Sequence, residues 1–484
     1  MPASVTNFSL SLKVTIGELS EKVLLNIFCY YLDTSPRLWP RLARICRRWR
    51  RVIFASQRPL HLRLFCTYGT PVLKSLDCWP TLPIVVQYGG SPELDPPTSE
   101  DEDNILAALK QSDRVGSIHL TLTNSLLEKL STIEQPISEL EDLVLLSQDR
   151  LEQTLPNNAF GWGPRLRSLH LTRITYVGLP QLLYSSRKIV DLQLHEVLSP
   201  WLLSPESLTD ALSGMALLQS LSLHFLPTTN HIGRHLPYGE RVVLPSLTRL
   251  NFRGIAVYLE DLVSGIDAPH LSDIEITFFN ESVSDFSKLC EFIDRIQIHK
   301  STRRANISFS EYALSISLIQ PGAPTFLKFQ LFCEPLALQV SFMARICGHF
   351  PFLFNVEELY ICATRQSRPD DSRHPEPWLE LLNSFTGVKW LHISGELSSY
   401  ITCALGGMGR FKTVLPTLHK LCIPRHRALG APLSVAVVLL MTSRRLSGHP
   451  IAVEYERQCH IDDLRGAGTI YSKHNHPYSL TCLK

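Results

Sequence analysis

Ten times along this chain an apolar residue is followed three positions later by a second, and two positions after that by a third. The copies are Val115/Ile118/Leu120, Leu140/Leu143/Leu145, Leu166/Leu169/Leu171, Ile189/Leu192/Leu194, Leu218/Leu221/Leu223, Leu247/Leu250/Phe252, Leu271/Ile274/Ile276, Val356/Leu359/Ile361, Val388/Leu391/Ile393 and Leu418/Leu421/Ile423. An internal repeat outranks any local motif as a constraint on fold. In a strand of this pattern the second and third apolar residues point to one face. Only the strands before and after can bury them, so each unit is unstable alone and the stack supplies the core. Segments with helical character, such as residues 205–215 and 283–297, lie between copies. Strand then helix, repeated, predicts a solenoid over residues 114–455.

Successive copies start 23 to 32 residues apart where the series is unbroken, close to the roughly 20 to 29 residues of leucine-rich repeats. The 85-residue gap between Leu271 and Val356 has room for about two more units, with Ile307/Phe309 and Phe329/Leu331 as candidates. Leucine-rich repeats usually carry Asn three residues after the last motif Leu, to bond the turn backbone. Ile174, Val197, Leu226 and Ile255 occupy those positions here, which predicts an irregular array.

Residues 16–59 follow a different period. Ser20 is placed to cap a helix, with Glu21 favourable against the helix dipole. Val23, Leu24, Ile27, Phe28 and Tyr31 recur at helical spacing, and Pro36 ends the helix by restricting the residue before it. A second helix is predicted from about Leu38 to Pro59. It sets Leu42, Ile45, Cys46, Trp49, Val52 and Ile53 on one side and Arg41, Arg44, Arg48 and Arg51 on the other. Two short helices cannot bury so large an apolar face alone, so the module needs a partner; the alternative is that they open an ordinary helical domain.

The Leu-Leu-x-Ile-Phe run from Leu24, the Tyr-Leu-Asp turn at Tyr31 and the Cys-Arg-x-Trp-Arg signature at Cys46 to Arg50 occur in the order that resembles the F-box. This is the helical module through which substrate receptors dock on the adaptor of SCF-type ubiquitin ligases. The family usually has Leu-Pro where this chain has Leu19-Ser20. The resemblance implies adaptor contact through Leu19, Ser20, Leu24, Ile27, Phe28, Leu32, Leu42, Cys46 and Trp49, and through the adaptor a cullin scaffold.

With the repeats behind it, residues 16 to about 455 look like the F-box proteins of mushroom-forming fungi. Segments such as LDCWPTLPIVV, PRLRSLHL and YLEDLVSGIDAPHLSDIEITFFN carry that likeness. The fold it implies is α/β: a small N-terminal all-helical F-box followed by an irregular leucine-rich-repeat solenoid. The function it implies is a non-catalytic substrate-recognition subunit. A protein substrate would meet the outward strand positions Ser168, His170, Asp191, Gln193, Arg249, Asn251, Asp273, Glu275, Glu358, Tyr360, Trp390 and His392. For each of these the alternative is an ordinary solvated strand position, and for the whole chain it is a repeat scaffold that binds proteins without assembling a ligase.

Composition narrows the rest. The chain has 47 basic and 45 acidic residues, so the arginines at 41, 44, 47, 48, 50, 51 and 58 read as a solvated helix face rather than a nucleic-acid footprint. Residues 431–441 are the longest strongly apolar stretch, far short of the ~20 a membrane span requires. The first residues lack the pattern of a secretory signal, so a cytoplasmic or nuclear protein is expected. Twelve cysteines include no Cys-x-x-Cys pair and read as reduced structural thiols.

No phosphate loop, nucleophile elbow or His-Glu-x-x-His appears, and no catalytic residue or cofactor is expected. Cys459, His460, His474, His476 and Cys482 have no zinc-type spacing, so no metal is expected either. The predicted organisation is a flexible start (1–14), the F-box (15–60), a connector (61–113) with an acidic loop (91–104), the solenoid (114–455) and a tail (456–484). Within the connector, Ser99 with Glu102 has capping-box spacing.

Overall fold

The computed structural model describes residues 16–57, 60–68, 72, 76, 78–79, 81–88, 97–130, 136–147, 153–155, 164–197, 203–226, 241–279, 286–296, 302–319, 325–363, 375–406, 414–424 and 431–456. The expectations for residues 1–14, for the acidic run up to residue 96 and for the tail beyond Glu456 lie outside the described residues. The chain comprises two compact units, residues 1–186 and 187–484.

The first unit opens with helix α1 (Glu21–Thr34), whose N-cap is Ser20, its hydroxyl accepting from the Val23 amide at 3.4 Å. The predicted second helix is in fact two, α2 (Trp39–Ile45) and α3 (Arg47–Ala55). Cys46 between them is extended (φ −156°, ψ 168°), and its thiol caps α3 by accepting from the Trp49 amide at 3.5 Å. Arg50 Nε donates to the carbonyl of Ala43 at 3.0 Å, satisfying one of the end carbonyls that the break exposes. The apolar period runs through the break, which is why it reads as one helix.

The strands of this unit are β1 (Leu64–Cys66), β2 (Ile84–Tyr88), β3 (Val115–Leu122), β4 (Asp142–Ser147), β5 (Gln153–Leu155), β6 (Ser168–Thr172) and β7 (Ile174–Tyr176). β1, β2, β3, β4 and β6 lie side by side, all parallel, with Val86, Ile118, Leu143 and Leu169 in register. β5 and β7 form a separate parallel pair. The sheet therefore begins at Leu64, inside the stretch assigned to a connector, where the alternation over residues 60–88 and the β-prone Ile84-Val85-Val86 predict two short strands bracketing a loop.

Helix α4 (Ser99–Leu109) fills the connector's end, capped one residue earlier than predicted, by Thr98 in a reciprocal box with Asp101. Glu102 is thereby released into the interior. There it accepts from Thr123 Oγ1 (3.0 Å), Ser125 Oγ (2.8 Å) and Lys129 Nζ (3.0 Å), all at or within α5 (Asn124–Leu130). Helix α6 (Leu179–Ser185) closes the unit.

The second unit runs β8 (Asp191–Val197), α7 (Pro205–Leu212), β9 (Ser220–Phe225), β10 (Val242–Val243), β11 (Arg249–Gly254), α8 (Ala256–Gly265), β12 (Ile266–Asp267) and β13 (Asp273–Phe278). It continues with α9 (Ser287–Arg295), β14 (Arg304–Phe309), β15 (Ala313–Ile319), β16 (Thr325–Phe332), α10 (Leu336–Gly348) and β17 (Glu358–Ala363). Its last elements are α11 (Glu376–Asn383), β18 (Trp390–Ile393), α12 (Gly395–Gly406), β19 (Lys420–Pro424), α13 (Ala431–Leu446) and β20 (Ala452–Glu456). Motif residues stack in register, Leu192 on Leu221 on Leu250 on Ile274, and none is more than 1% exposed.

The gap after Leu271 does not hold two further repeats. Its strands follow the order β13-β16-β15-β14-β17, with β15 antiparallel to both neighbours. Ile307, Phe309, Phe329 and Leu331 are buried strand residues as predicted, but they belong to a three-stranded meander. An odd number of strands lets β16 run parallel to β13 and β14 parallel to β17, so the repeat direction resumes unchanged.

Polar groups join neighbouring repeats behind the sheet. The residue before α9, Phe286, cannot cap with its side chain, and buried Glu260 of α8 does so instead, accepting from the amides of Lys288 (3.0 Å) and Leu289 (3.1 Å). Arg444 of α13 is buried and donates to the carbonyls of Leu415 (3.2 Å) and Val414 (2.5 Å).

Candidate docking surfaces

Helix α1 divides its apolar residues into two rows. Leu24, Phe28 and Leu32 are buried, with Phe28 packed on Trp49 of α3 at a ring separation of 4.8 Å. Val23, Ile27 and Tyr30 are 43%, 45% and 78% exposed, with Tyr31 beside them and Ile45 of α2 at 58%. Of the residues expected to meet an adaptor, Leu24, Phe28, Leu32 and Leu42 therefore lie in the module's own core. Ser20, Ile27 and Cys46 are exposed, and Leu19 and Trp49 are half-buried. Tyr30, and Ile45 on α2, are further exposed apolar residues; periodicity does flag Ile45, while Tyr30 falls off the predicted stripe.

The arginine face is solvated as expected, Arg41, Arg44, Arg47, Arg50 and Arg51 being exposed, and some of the arginines are tied to neighbours. Arg48 donates to the carbonyl of Leu19, and Arg51 lies 3.7 Å from Glu21 across exposed surface. Arg37 bonds Gln87 and lies over the Phe65 ring, and Arg44 over the Trp79 ring, each 5.6 Å from the centroid. Trp39, fully buried, donates its indole N–H to the Arg63 carbonyl at 2.7 Å. The contacts of Trp39 and Arg37 hold the start of α2 and the turn before it against the first two strands of the sheet.

The second candidate surface is the outward face of the strands, opposite the buried motif residues. In the first unit it holds Ser168 and His170, with Asp142 in register beside Ser168. Burial would raise the Asp142 pKa, but bonds from His119, Ser168 and Ser117 outweigh it and hold the carboxyl below its usual range.

In the second unit the register brings the predicted residues into two groups. Asp191, Gln193, Arg249, Asn251, Asp273 and Glu275 stand on β8, β11 and β13, with β9 between β8 and β11. Ion pairs close the gaps between strands: Arg249 to Asp273 at 3.2 Å and Lys328 to Glu275 at 2.7 Å. Glu358, Tyr360, Trp390 and His392 form the other group on β17 and β18. Tyr360 and His392 stack at 4.2 Å, and Arg304 lies over Tyr360 while pairing with Glu358 at 2.7 Å.

His195 escapes a motif-based search because it stands one step beyond the motif. It stacks on His224 at 4.1 Å, and its Nε2 lies 2.8 Å from the Ser222 hydroxyl. Burial holds the His224 pKa below the usual histidine value, against a raising bond from Asn251. Among the described residues no group of three or more His, Cys, Asp or Glu is placed to hold a metal ion, and no helix is long and apolar enough to cross a membrane.

No family model and no curated protein matches the chain. Among solved structures it is similar to the leucine-rich repeat-containing protein LegL7 from Legionella pneumophila. That likeness has 13% identity over 67% of this chain and 97% of that chain, with a TM-score of 0.27.

Proposed function

We propose that this chain is the substrate receptor of an SCF-type ubiquitin ligase. It docks the adaptor, and through it a cullin, by the N-terminal helices, and holds a protein substrate on the outward strand face of an irregular leucine-rich-repeat array. The observation that carries this reading is the outer row of α1. Val23, Ile27, Tyr30 and Tyr31 face solvent in a segment whose residue order resembles an F-box, and clustered exposed apolar side chains mark a binding surface. Such a receptor makes and breaks no bonds. It acts by raising the effective concentration of substrate beside the conjugating enzyme, in the cytoplasm or nucleus.

The test is recovery of adaptor and cullin by the full chain and by Ile27→Asp/Tyr30→Asp. Loss of both partners from a variant with unchanged circular dichroism is expected; equal recovery contradicts the reading. A second reading, a protein-binding scaffold outside any ligase, is favoured by the ties of Trp39 and Arg37 to Arg63, Phe65 and Gln87. These make the helices a cap for the first strand, a role that needs no partner. Full chain that never recovers cullin yet retains other proteins would establish it.

A further inference from the structure

Among the described residues, the Lys and Arg side chains on the outward strand face of the second unit are matched to acids with one exception. Arg249, Lys328, Arg304 and Lys420 each pair with the acid on a neighbouring strand, Asp273, Glu275, Glu358 and Glu454. Arg253 has no acid partner among the described residues. Its guanidinium lies over two rings instead, 5.3 Å from Phe279 and 6.0 Å from Phe332, which are themselves nearly parallel, with an interplanar angle of 14°. Aromatic faces hold an arginine side chain in place without neutralising it.

The row in which Arg253 stands is unlike the rows beside it. Across β9, β11, β13, β16, β15 and β14 the in-register residues are His224, Arg253, Thr277, Gln330, Ser315 and Ser308. All can donate hydrogen bonds and none is acidic. The nearest acid in the adjoining row, Glu275, is engaged by Lys328. Six adjacent strands make a row about 24 Å long, enough for about seven residues of extended chain.

We infer that this row is a binding site for an extended peptide carrying an anionic group, carboxylate or phosphoryl, seated on Arg253 between Phe279 and Phe332. This deepens the proposed receptor role by naming the chemistry of the substrate. A planar guanidinium with donors on both sides suits either anion, by paired charge-assisted bonds.

The test uses full chain and three fluorescein-labelled peptide pools, degenerate except for a central Glu, phosphoserine or Lys. Both anionic pools are expected to bind wild type about tenfold or more tighter than the Lys pool, a margin of about 1.4 kcal/mol. Arg253→Ala should abolish that margin, whereas Arg241→Ala, an exposed arginine outside the row, should keep it. Binding of the Glu pool alone, or of the phosphoserine pool alone, would assign the anion. No preference in wild type, or equal loss in both variants, would overturn the site. Adaptor recovery measured on the same samples separates the two proposals. Arg253→Ala should still recover adaptor, and an Arg253-dependent preference in a chain that recovers none would refute only the ligase assignment.

Discussion

In β9, β11 and β13 the apolar motif residues are all spent on the core, Leu221, Leu250 and Ile274 being at most 1% exposed. In α1 the inner row is equally buried while an outer row of Val23, Ile27, Tyr30 and Tyr31 faces solvent. The difference is architectural. A repeat strand has neighbours that cover its inner face, and in these three strands alternation leaves polar residues for the other. A short helix can carry apolar residues on both sides, as α1 does, and α3 covers one of them. What the repeats offer a partner is a polar, ion-paired surface with aromatic islands; what the helices offer is an uncharged, largely apolar row of valine, isoleucine and tyrosine.

If the inner rows are alike, truncating them should cost alike. Phe28→Ala is expected to lose about 3–5 kcal/mol, and Leu221→Ala about 2–5 kcal/mol, as read from urea midpoints; a mild effect of Phe28→Ala would mean that the helices are not packed as described. The repeats should also resist added volume where strand and connection meet. A Cβ on Gly387 would collide with the Phe354 carbonyl, so Gly387→Ala should cost about 1–3 kcal/mol by the same measurement.

Buried polar groups give a third, pH-dependent contrast. Burial alone would raise the Glu102 pKa, but donors from Lys129, Ser125 and Thr123 outweigh it and the folded value lies below the ordinary one. A depressed carboxyl contributes stability that is present above its unfolded pKa and lost as pH falls through the folded value. Glu102→Gln should therefore be less stable than wild type at pH 7, with the gap narrowing as the pH falls below that of an ordinary glutamate. A gap that stays constant down to pH 3 would contradict this. The smallest expected effect is at the cap of α4, where Thr98→Ala should cost about 1 kcal/mol.

The repeats were legible in the sequence because a motif that must stack leaves its period in the chain, and every copy from Val115 to Ile423 falls on a strand or at its entry. The meander was not. Ala313–Ile319 alternates as well as any repeat strand, and alternation says nothing of direction, so an antiparallel strand is invisible to it. The break at Cys46 was hidden for the related reason that α2 and α3 share one apolar phase. At the docking surfaces, the pattern found the strands and their first outward positions but not Arg253 or His195, since which outward residues meet depends on register between strands. It also could not tell the inner row of α1 from the outer, because that division is made by where α3 packs.

The central claim is that the outer row of α1 binds a partner and is spare to the fold. Calorimetric titration of adaptor into full-length Ile27→Asp, paired with its thermal midpoint, tests it most directly, with Leu338→Asp, an equally exposed apolar site in the second unit, as control. The account predicts affinity lowered about tenfold or more, roughly 1.4 kcal/mol, with an unchanged midpoint for Ile27→Asp and wild-type affinity for Leu338→Asp. Wild-type affinity in Ile27→Asp, or a fall in its midpoint large enough to explain the loss, would contradict it.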